Sequence, residues 1–474
     1  MIPEREIWLL DQEINRRGLP CDLEQAEAAV ELMTEGLQWA QAEIARLTDG
    51  EITTVNQNAK IAKFCGLPSC KKHVVAQALE HATGVRRKVL ELRRDFGKSS
   101  VAKYQSMLDR AGHEALVKGS MIYHGASTGR WTGEGFQALN LFKSYFPHRD
   151  IVDLAIPMIK RRDADMLRTF FGNVPPALAS ALRAGIRAPD GYELICADYS
   201  GIEAIGSAWL VNDEEDLRLF TEGKDPYIPL AAMIYRKPES QVTGKERGLG
   251  KVTRLGAQYG MGQSKKLPTF QNTCKNQFRI EISHEFAQEV IYDVFRPRYD
   301  NLVKYWKQLD RAAVRALKVP RAVRAGKVKW WYNREDDFLH CKLPNGRCLS
   351  YCQPRLGEGK FGGECVTFMS MVQLADKNGK KKAKKWLRRD GYGGLWLENI
   401  DQGMCRDFMV EGMFRTEAAG YKTILTVYDE VIAIVPEGFG SLEEFCALLG
   451  QPIDWAPGCP IRATGWRGKH YRKD

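Results

Sequence analysis

From about Leu23 to Leu108 the chain alternates apolar and charged residues in helix-length amphipathic stretches such as LEQAEAAVELMTEGLQWAQAEIARL and VRRKVLELRRDFGKSSVAKYQSML. These predict a helical lobe, whose simplest role is to support the rest of the molecule. Between Ser120 and Leu141 the texture changes to SMIYHGASTGRWTGEGFQALNL, rich in Gly, Ser, Thr and aromatics, which predicts irregular backbone of the sort that often carries contacts. A short apolar run, YELICA, then reads as a strand leading into Asp198, with helix-forming residues from Ile202. Near the C-terminus, TILTVYDEVIAIVP places two β-rich runs around Tyr428-Asp429-Glu430, the pattern of a hairpin with acids at its tip. Two carboxylates, Asp198 and Asp429, are therefore expected at strand ends. In VTGKERGLGKVTRLGAQYGMG, Arg247, Lys251, Leu255 and Tyr259 recur at steps of four along one helical face, although Gly248 and Gly250 weaken that helix. Between Lys377 and Arg389, KNGKKKAKKWLRR gathers eight basic residues in what reads as a loop-to-helix segment. Its default meaning is solvated surface, and a contact with a DNA backbone is the alternative.

Length and composition set the frame for these elements. A chain of 474 residues exceeds one ordinary hydrophobic core, so two or three subdomains with a cleft between them are expected. With 44% hydrophobic and 27% charged residues, the disordered and fibrous classes are excluded. A formal charge of +11 and a pI near 9.0 favour a polyanionic partner without separating DNA from RNA. The twelve cysteines are scattered, as expected of reduced intracellular thiols. Cys341, Cys348 and Cys352, beside His340, lack the paired spacing of a zinc ribbon and are read as structural thiols, with no zinc. The opening segment MIPEREIWLLDQEINRRG is charged throughout, so it is neither a signal peptide nor an anchor, and no later run is long enough to span a bilayer. A soluble, cytoplasmic protein is expected.

Two carboxylates on rigid strand ends can hold a pair of divalent ions about 3.5 to 4 Å apart, the arrangement that transfers a nucleotidyl group onto a hydroxyl. One ion activates the 3′-hydroxyl and the other stabilises the departing pyrophosphate. Hard oxygen ligands suit magnesium. Arg247 and Lys251, one turn apart, form a clamp for a triphosphate, and Lys251 could protonate the leaving group. Leu255 and Tyr259 would pack on the incoming base and the templating pair. Each feature has a plainer reading. A lone strand-end Asp is usually a turn or cap residue, two helical cations are usually solvated, and an apolar stripe is usually core.

Taken together and in this order, the residues resemble the family A DNA polymerases, the group of bacterial DNA polymerase I and many phage replicases. The likeness covers nearly the whole chain. Asp198-Tyr199-Ser200-Gly201-Ile202-Glu203 approximates the family's first signature, Arg247-x3-Lys251-x7-Tyr259-Gly260 its second, and Tyr428-Asp429-Glu430 its third. The resemblance implies an α+β right-hand fold with helical thumb, antiparallel-sheet palm and helical fingers. The thumb would occupy mainly 1–118, the palm 119–212 and 395–474, and the fingers, with an insertion, 213–394. It further implies metal binding by Asp198 and Asp429, with two Mg2+ for which Mn2+ may substitute. Deoxynucleoside triphosphate would be held by Arg247, Lys251, Leu255, Tyr259, Tyr227 and Glu203, the last as a block against the ribose 2′-hydroxyl. Primer-template DNA would meet Arg130, Gln137, Asn140, Gln402, Tyr428 and Glu430.

Three positions depart from the family pattern. Tyr428 replaces the usual histidine, Leu255 stands for Phe or Tyr, and Gly201 replaces the commoner glutamine. The thumb-like region begins almost at Met1, so no 3′–5′ exonuclease is expected in this chain, and a separate exonuclease or processivity partner is a corresponding expectation. A monomer is expected. LENIDQGMCRDFMVEGMFRTEAAGY most resembles phage members, which points to viral DNA replication. The competing readings are an inactive DNA-binding replication module and an RNA polymerase, the second opposed by Glu203 and by the Asp429-Glu430 pair.

Overall fold

The computed structural model describes residues 2–97, 102–142, 144–146, 149–359, 362–375 and 381–472. Helices α1 (Glu4–Arg17), α2 (Leu23–Leu47), α3 (Asn58–Phe64), α4 (Lys72–His81), α5 (Gly84–Phe96) and α6 (Ala102–Ala111) form the expected N-terminal helical lobe. α2 starts where the Asp22 carboxylate accepts the Gln25 N–H, a side-chain cap for an otherwise orphaned donor. Its first half buries Ala26, Ala29 and Leu32 in the main core. Its second half buries Ala40 and Ile44 in a separate small core with Ile52, Val55, Ile61, Val89, Leu90 and Phe96. The lobe is thus an arm whose tip has its own core, rooted in the body through α1, α2 and α6, which bury Ile7, Ile14, Tyr104 and Met107 in the main core. α7 (Arg149–Lys160), α8 (Ala164–Phe171) and α9 (Val174–Ala181) return to pack along α2, and two-residue strands β1 (Leu19–Pro20), β2 (Leu116–Val117), β3 (Met121–Ile122) and β4 (Thr132–Gly133) pair at its base.

The body is built on a four-stranded antiparallel sheet. β5 (Tyr192–Tyr199) buries Leu194 to Ala197 and lies between β13 (Glu430–Pro436) and β14 (Ala463–Gly468), with β12 (Lys422–Val427) outside β13. α18 (Gly393–Ala418) is buried nearly all round, so its charged residues Asp401, Arg406 and Asp407 must find partners inside the protein. It packs against α10 (Ile202–Val211), β12 and α19 (Leu442–Leu449).

Between β5 and α18 the chain runs through α11 (Glu214–Thr221), α12 (Tyr227–Tyr235), α13 (Gly244–Ala257), α14 (Thr269–Phe278), α15 (His284–Glu289), a π-helical turn at Val290–Phe295, α16 (Arg296–Arg298) and α17 (Asp300–Lys318). α13 opens with a capping box in which Thr243 and Glu246 satisfy each other's backbone N–H, and this stiffens its start despite the two glycines. Six consecutive strands follow as an antiparallel meander: β6 (Val323–Ala325), β7 (Val328–Asn333), β8 (Phe338–Lys342), β9 (Cys348–Glu358), β10 (Glu364–Ala375) and β11 (Lys381–Asp390).

This meander corrects one expectation. The basic run from Lys377 reads in sequence as loop-to-helix, yet from Lys381 onward it is strand β11, paired from Ala375↔Lys381 to Thr367↔Asp390 along β10. Lysine has ample helix propensity, but the long partner strand decides, because pairing satisfies the backbone while alternating side chains stay in water. Lys377 to Lys380 lie outside the described residues. Among the described residues no helix is long and apolar enough to cross a membrane.

Candidate active site

The two strand-end acids are brought side by side by the sheet. Asp198 stands opposite Glu430 on β13 and Thr464 on β14, and the Tyr199 N–H donates to the Asp429 carbonyl over 3.1 Å. Val427 and Glu430 pair directly, so Tyr428 and Asp429 form a two-residue hairpin tip. Tyr428 has φ 62°, a left-handed conformation unfavourable for a bulky residue. Held strain of this kind tends to mark functional turns. The Tyr428 ring is 57% exposed, and its hydroxyl donates to Asn140 Oδ1 over 3.1 Å. Gln137, also left-handed at φ 53°, starts the short turn that carries Asn140. Gln137, Asn140 and Tyr428 therefore share one exposed rim beside the hairpin. Glu430 is placed differently: only 2% exposed, it accepts from Cys196 Sγ and from the Tyr471 hydroxyl, each at 2.9 Å, and is turned into the core.

The expected cations line the facing helix. The Arg247 guanidinium and the Lys251 ammonium lie 5.4 and 5.7 Å from the centre of the Tyr227 ring. Arg247 Nε donates to Asp225 Oδ2 at 2.5 Å. The Tyr227 hydroxyl abuts Gly201, where an added Cβ would come within 3.4 Å of it. Gly201 has φ 67° at the start of α10, so a glutamine here would meet both a strained backbone and that hydroxyl. Burial pushes the Tyr227 hydroxyl up to about 12, and the Asp225 and Asp429 charges add to the rise. Tyr227 thus keeps its proton and sits between the acidic tip and the cationic helix. Leu255 packs against Ala204, Ile205 and Phe220.

A third cluster links four elements. Arg130 donates to Glu203 Oε1 at 2.8 Å, and the Tyr259 hydroxyl lies 3.1 Å from Glu203 Oε2 and 2.7 Å from Asp401 Oδ2. One phenolic proton cannot serve two carboxylates. Burial, followed by the Glu203 charge, raises the Asp401 carboxyl well above its usual range. Asp401 is thus the carboxyl that favours its proton, and Tyr259 bridges it to Glu203, which Arg130 meets from the other side. The Thr128-Gly129-Arg130 segment is itself fixed from behind. Buried Arg347 donates to the Thr128 carbonyl at 3.0 Å, to the Gly403 carbonyl at 2.8 Å and to Asp407 at 2.9 Å. Gln402, one residue from Asp401 on α18, donates to Glu398 at 3.4 Å.

Sequence patterning does not single out Asp401 or Arg347. Neither has a local signature: Asp401 lies among other charged and polar residues in LENIDQGMCRD, and Arg347 depends on a tertiary contact.

Paired strand-end carboxylates beside a cationic helix are an arrangement that can support metal-assisted chemistry on a polyphosphate. Comparison with known proteins narrows the class. The profile described as DNA polymerase family A matches residues 171–324, which contain β5 and α13. A DNA polymerase of Bacillus phage SP02 is 30% identical over 484 aligned positions, covering 99% of this chain and 71% of that protein. The thermostable DNA polymerase I of Thermus filiformis is 36% identical over 288 positions, 60% of this chain but only 27% of that protein. Among solved structures, the POL domain of Pol1 from M. smegmatis, in complex with DNA primer-template and dNTP, matches 97% of this chain and 68% of its own with a TM-score of 0.60 at 16% identity. The chain belongs to DNA polymerase family A. Its mixed helical and antiparallel-sheet architecture is that of the polymerase domain.

Proposed function

We propose that this chain is a template-directed DNA polymerase that adds deoxynucleotides to a primer 3′-hydroxyl, in the replication of a phage genome. The observation that carries the reading is the meeting of Asp198 and Asp429 at paired strand ends, opposite Arg247 and Lys251 across Tyr227. The donor set suits hard divalent cations, since both acids offer carboxylate oxygens at the partly exposed edge of the sheet. Asp198 and Asp429 would hold two Mg2+ or Mn2+ ions, which when bound lower the pKa of the attacking hydroxyl and neutralise developing phosphate charge. The thumb is the N-terminal arm within 1–118, the palm comprises 119–212 and 395–474, and the fingers with the meander span 213–394.

In this reading the protein's own groups mainly position and neutralise. Arg247 offers a planar fork and Lys251 a point charge to the triphosphate, and Asp225 holds the guanidinium in place until phosphate competes for it. Lys251 is the candidate proton donor to pyrophosphate. Replacing it with alanine is expected to lower kcat about 100-fold with little change in primer-template binding. Near-normal single-turnover rates would return Lys251 to solvated surface.

Arg130 and Tyr259 pin Glu203 from two sides, which suits a fixed steric block at the ribose 2′ position. Glu203→Ala is expected to raise ribonucleotide use relative to deoxynucleotide use at least about tenfold, read as the ratio of kcat/KM values. Unchanged discrimination would remove the gate from Glu203. Gln137, Asn140 and Tyr428 form the rim for the primer end, and Gln402 faces the template. The whole reading is tested by extension of a labelled primer on a DNA template with magnesium, with deoxynucleotides and ribonucleotides compared. Tight primer-template binding without extension would favour an inactive replication module instead.

A further inference from the structure

The basic run that the polymerase chemistry does not use forms an edge of the meander. β11 is ten residues long, which extends roughly 30 Å, and among the described residues it pairs with β10 alone. Lysines on an edge strand commonly serve only to deter pairing with other chains. That purpose does not account for Trp386 and Met371, which stand opposite each other in register and are 50% and 53% exposed. Lys384 shares their face, and Lys385 and Arg389 alternate onto the other side of the same exposed strand. Arg388 is tied back to the Gln353 and Thr367 carbonyls, whereas among the described residues no ion pair joins Lys384, Lys385 or Arg389 to a carboxylate.

The ribbon also has a direction. At its C-terminal end Arg389 lies within electrostatic reach of Glu398 and Tyr392. Glu398 accepts from Gln402, the Tyr392 ring lies 3.8 Å from where a Gly260 Cβ would stand, and Gly394 packs on the Tyr259 carbonyl. The strand therefore ends at the side of the site where Tyr259 and Gln402 stand, and its length extends away from it. A half-exposed indole between cations is the composition that binds unpaired nucleic acid, with bases stacking on the ring and phosphates meeting the charges.

We infer that the β10–β11 ribbon, through Lys384, Lys385, Trp386 and Arg389, holds the single-stranded template ahead of the polymerase site. The inference rests on the polymerase reading and adds a second DNA contact outside the catalytic cleft.

Binding of the full chain to fluorescent primer-templates tests it, with 5′ overhangs of about 4 or about 16 nucleotides. The wild-type protein is expected to bind the long overhang more tightly. Trp386→Ala should weaken that binding about tenfold, and Lys384→Ala with Lys385→Ala should reduce the salt slope of binding by about 1.4. Both variants should match wild type in binding and extension on the short overhang. Wild-type affinity for the long overhang in both variants overturns the inference, as a docking surface for another protein would predict. So does a gain that appears only when the overhang is annealed to a complementary strand, which assigns the ribbon to duplex. Failure of the wild type to extend even the short-overhang substrate would instead sink the polymerase reading, so the two failures are distinguishable.

Discussion

Replacing Asp198 or Asp429 with asparagine is expected to lower primer extension on the order of 10³-fold while leaving the fold and primer-template binding intact. Asparagine keeps the shape and one oxygen but removes the charge that a divalent ion needs. The fold should tolerate the change because the link between the two strand ends runs through main chain: the Tyr199 N–H bonds the Asp429 carbonyl, and Glu430, not Asp429, pairs with Asp198 across the ladder. Both acids are also partly exposed, so water can reach the asparagine amide. The measurement is single-turnover extension beside anisotropy of labelled primer-template. Turnover within about tenfold of wild type for either variant would take that residue out of the metal site. Loss of DNA binding in step with activity would point to a positioning role instead.

The parts of this site that could be read from sequence are those whose function depends on local pattern. An apolar run ending in Asp198, two β-rich runs around Tyr428-Asp429 and a four-residue repeat from Arg247 each announce an element, and the elements fix where the side chains start. The meander could not be read in the same way. β10 and β11 owe their state to each other, and a lysine-rich segment carries no strand signal until a partner offers its backbone. The Arg130–Glu203–Tyr259–Asp401 chain is likewise tertiary, joining a loop, two helix ends and the middle of α18. Glu430 shows the opposite limit. Its position beside Asp429 suggests a contact with DNA, but strand geometry places it against Tyr471 and Cys196 in the core. The pattern gives the element, and only packing gives the direction in which a polar side chain is spent.

Arg254→Met is expected to destabilise the protein by about 3 to 5 kcal/mol, a large fraction of the stability of an ordinary domain. Arg254 lies on α13 three residues beyond Lys251 and is fully buried. Its Nε donates to Asp216 at 3.0 Å, and its terminal nitrogens donate to Gln258 at 2.5 Å, to the Ala204 carbonyl at 3.0 Å and to Ser207 at 3.1 Å. Its guanidinium also stacks 4.7 Å from the Tyr299 ring centre. One side chain thus fastens α13 to α10 and α11. Methionine retains the stem volume but leaves Asp216, 1% exposed, with Arg298 as its remaining ion partner, and strips the Ala204 carbonyl and Ser207 of a donor. Asp216→Asn added to Arg254→Met should recover part of the loss, because a buried charge that has lost one of its two arginines is the costly element. Thermal and denaturant unfolding of the single and double variants measures this coupling. Because Arg247 and Lys251 ride on the same helix, extension by Arg254→Met should fall more steeply with temperature than that of wild type. A loss below about 1 kcal/mol would mean that α13 is held chiefly by its apolar face, through Leu249 and Val252, and that water replaces the guanidinium at Asp216.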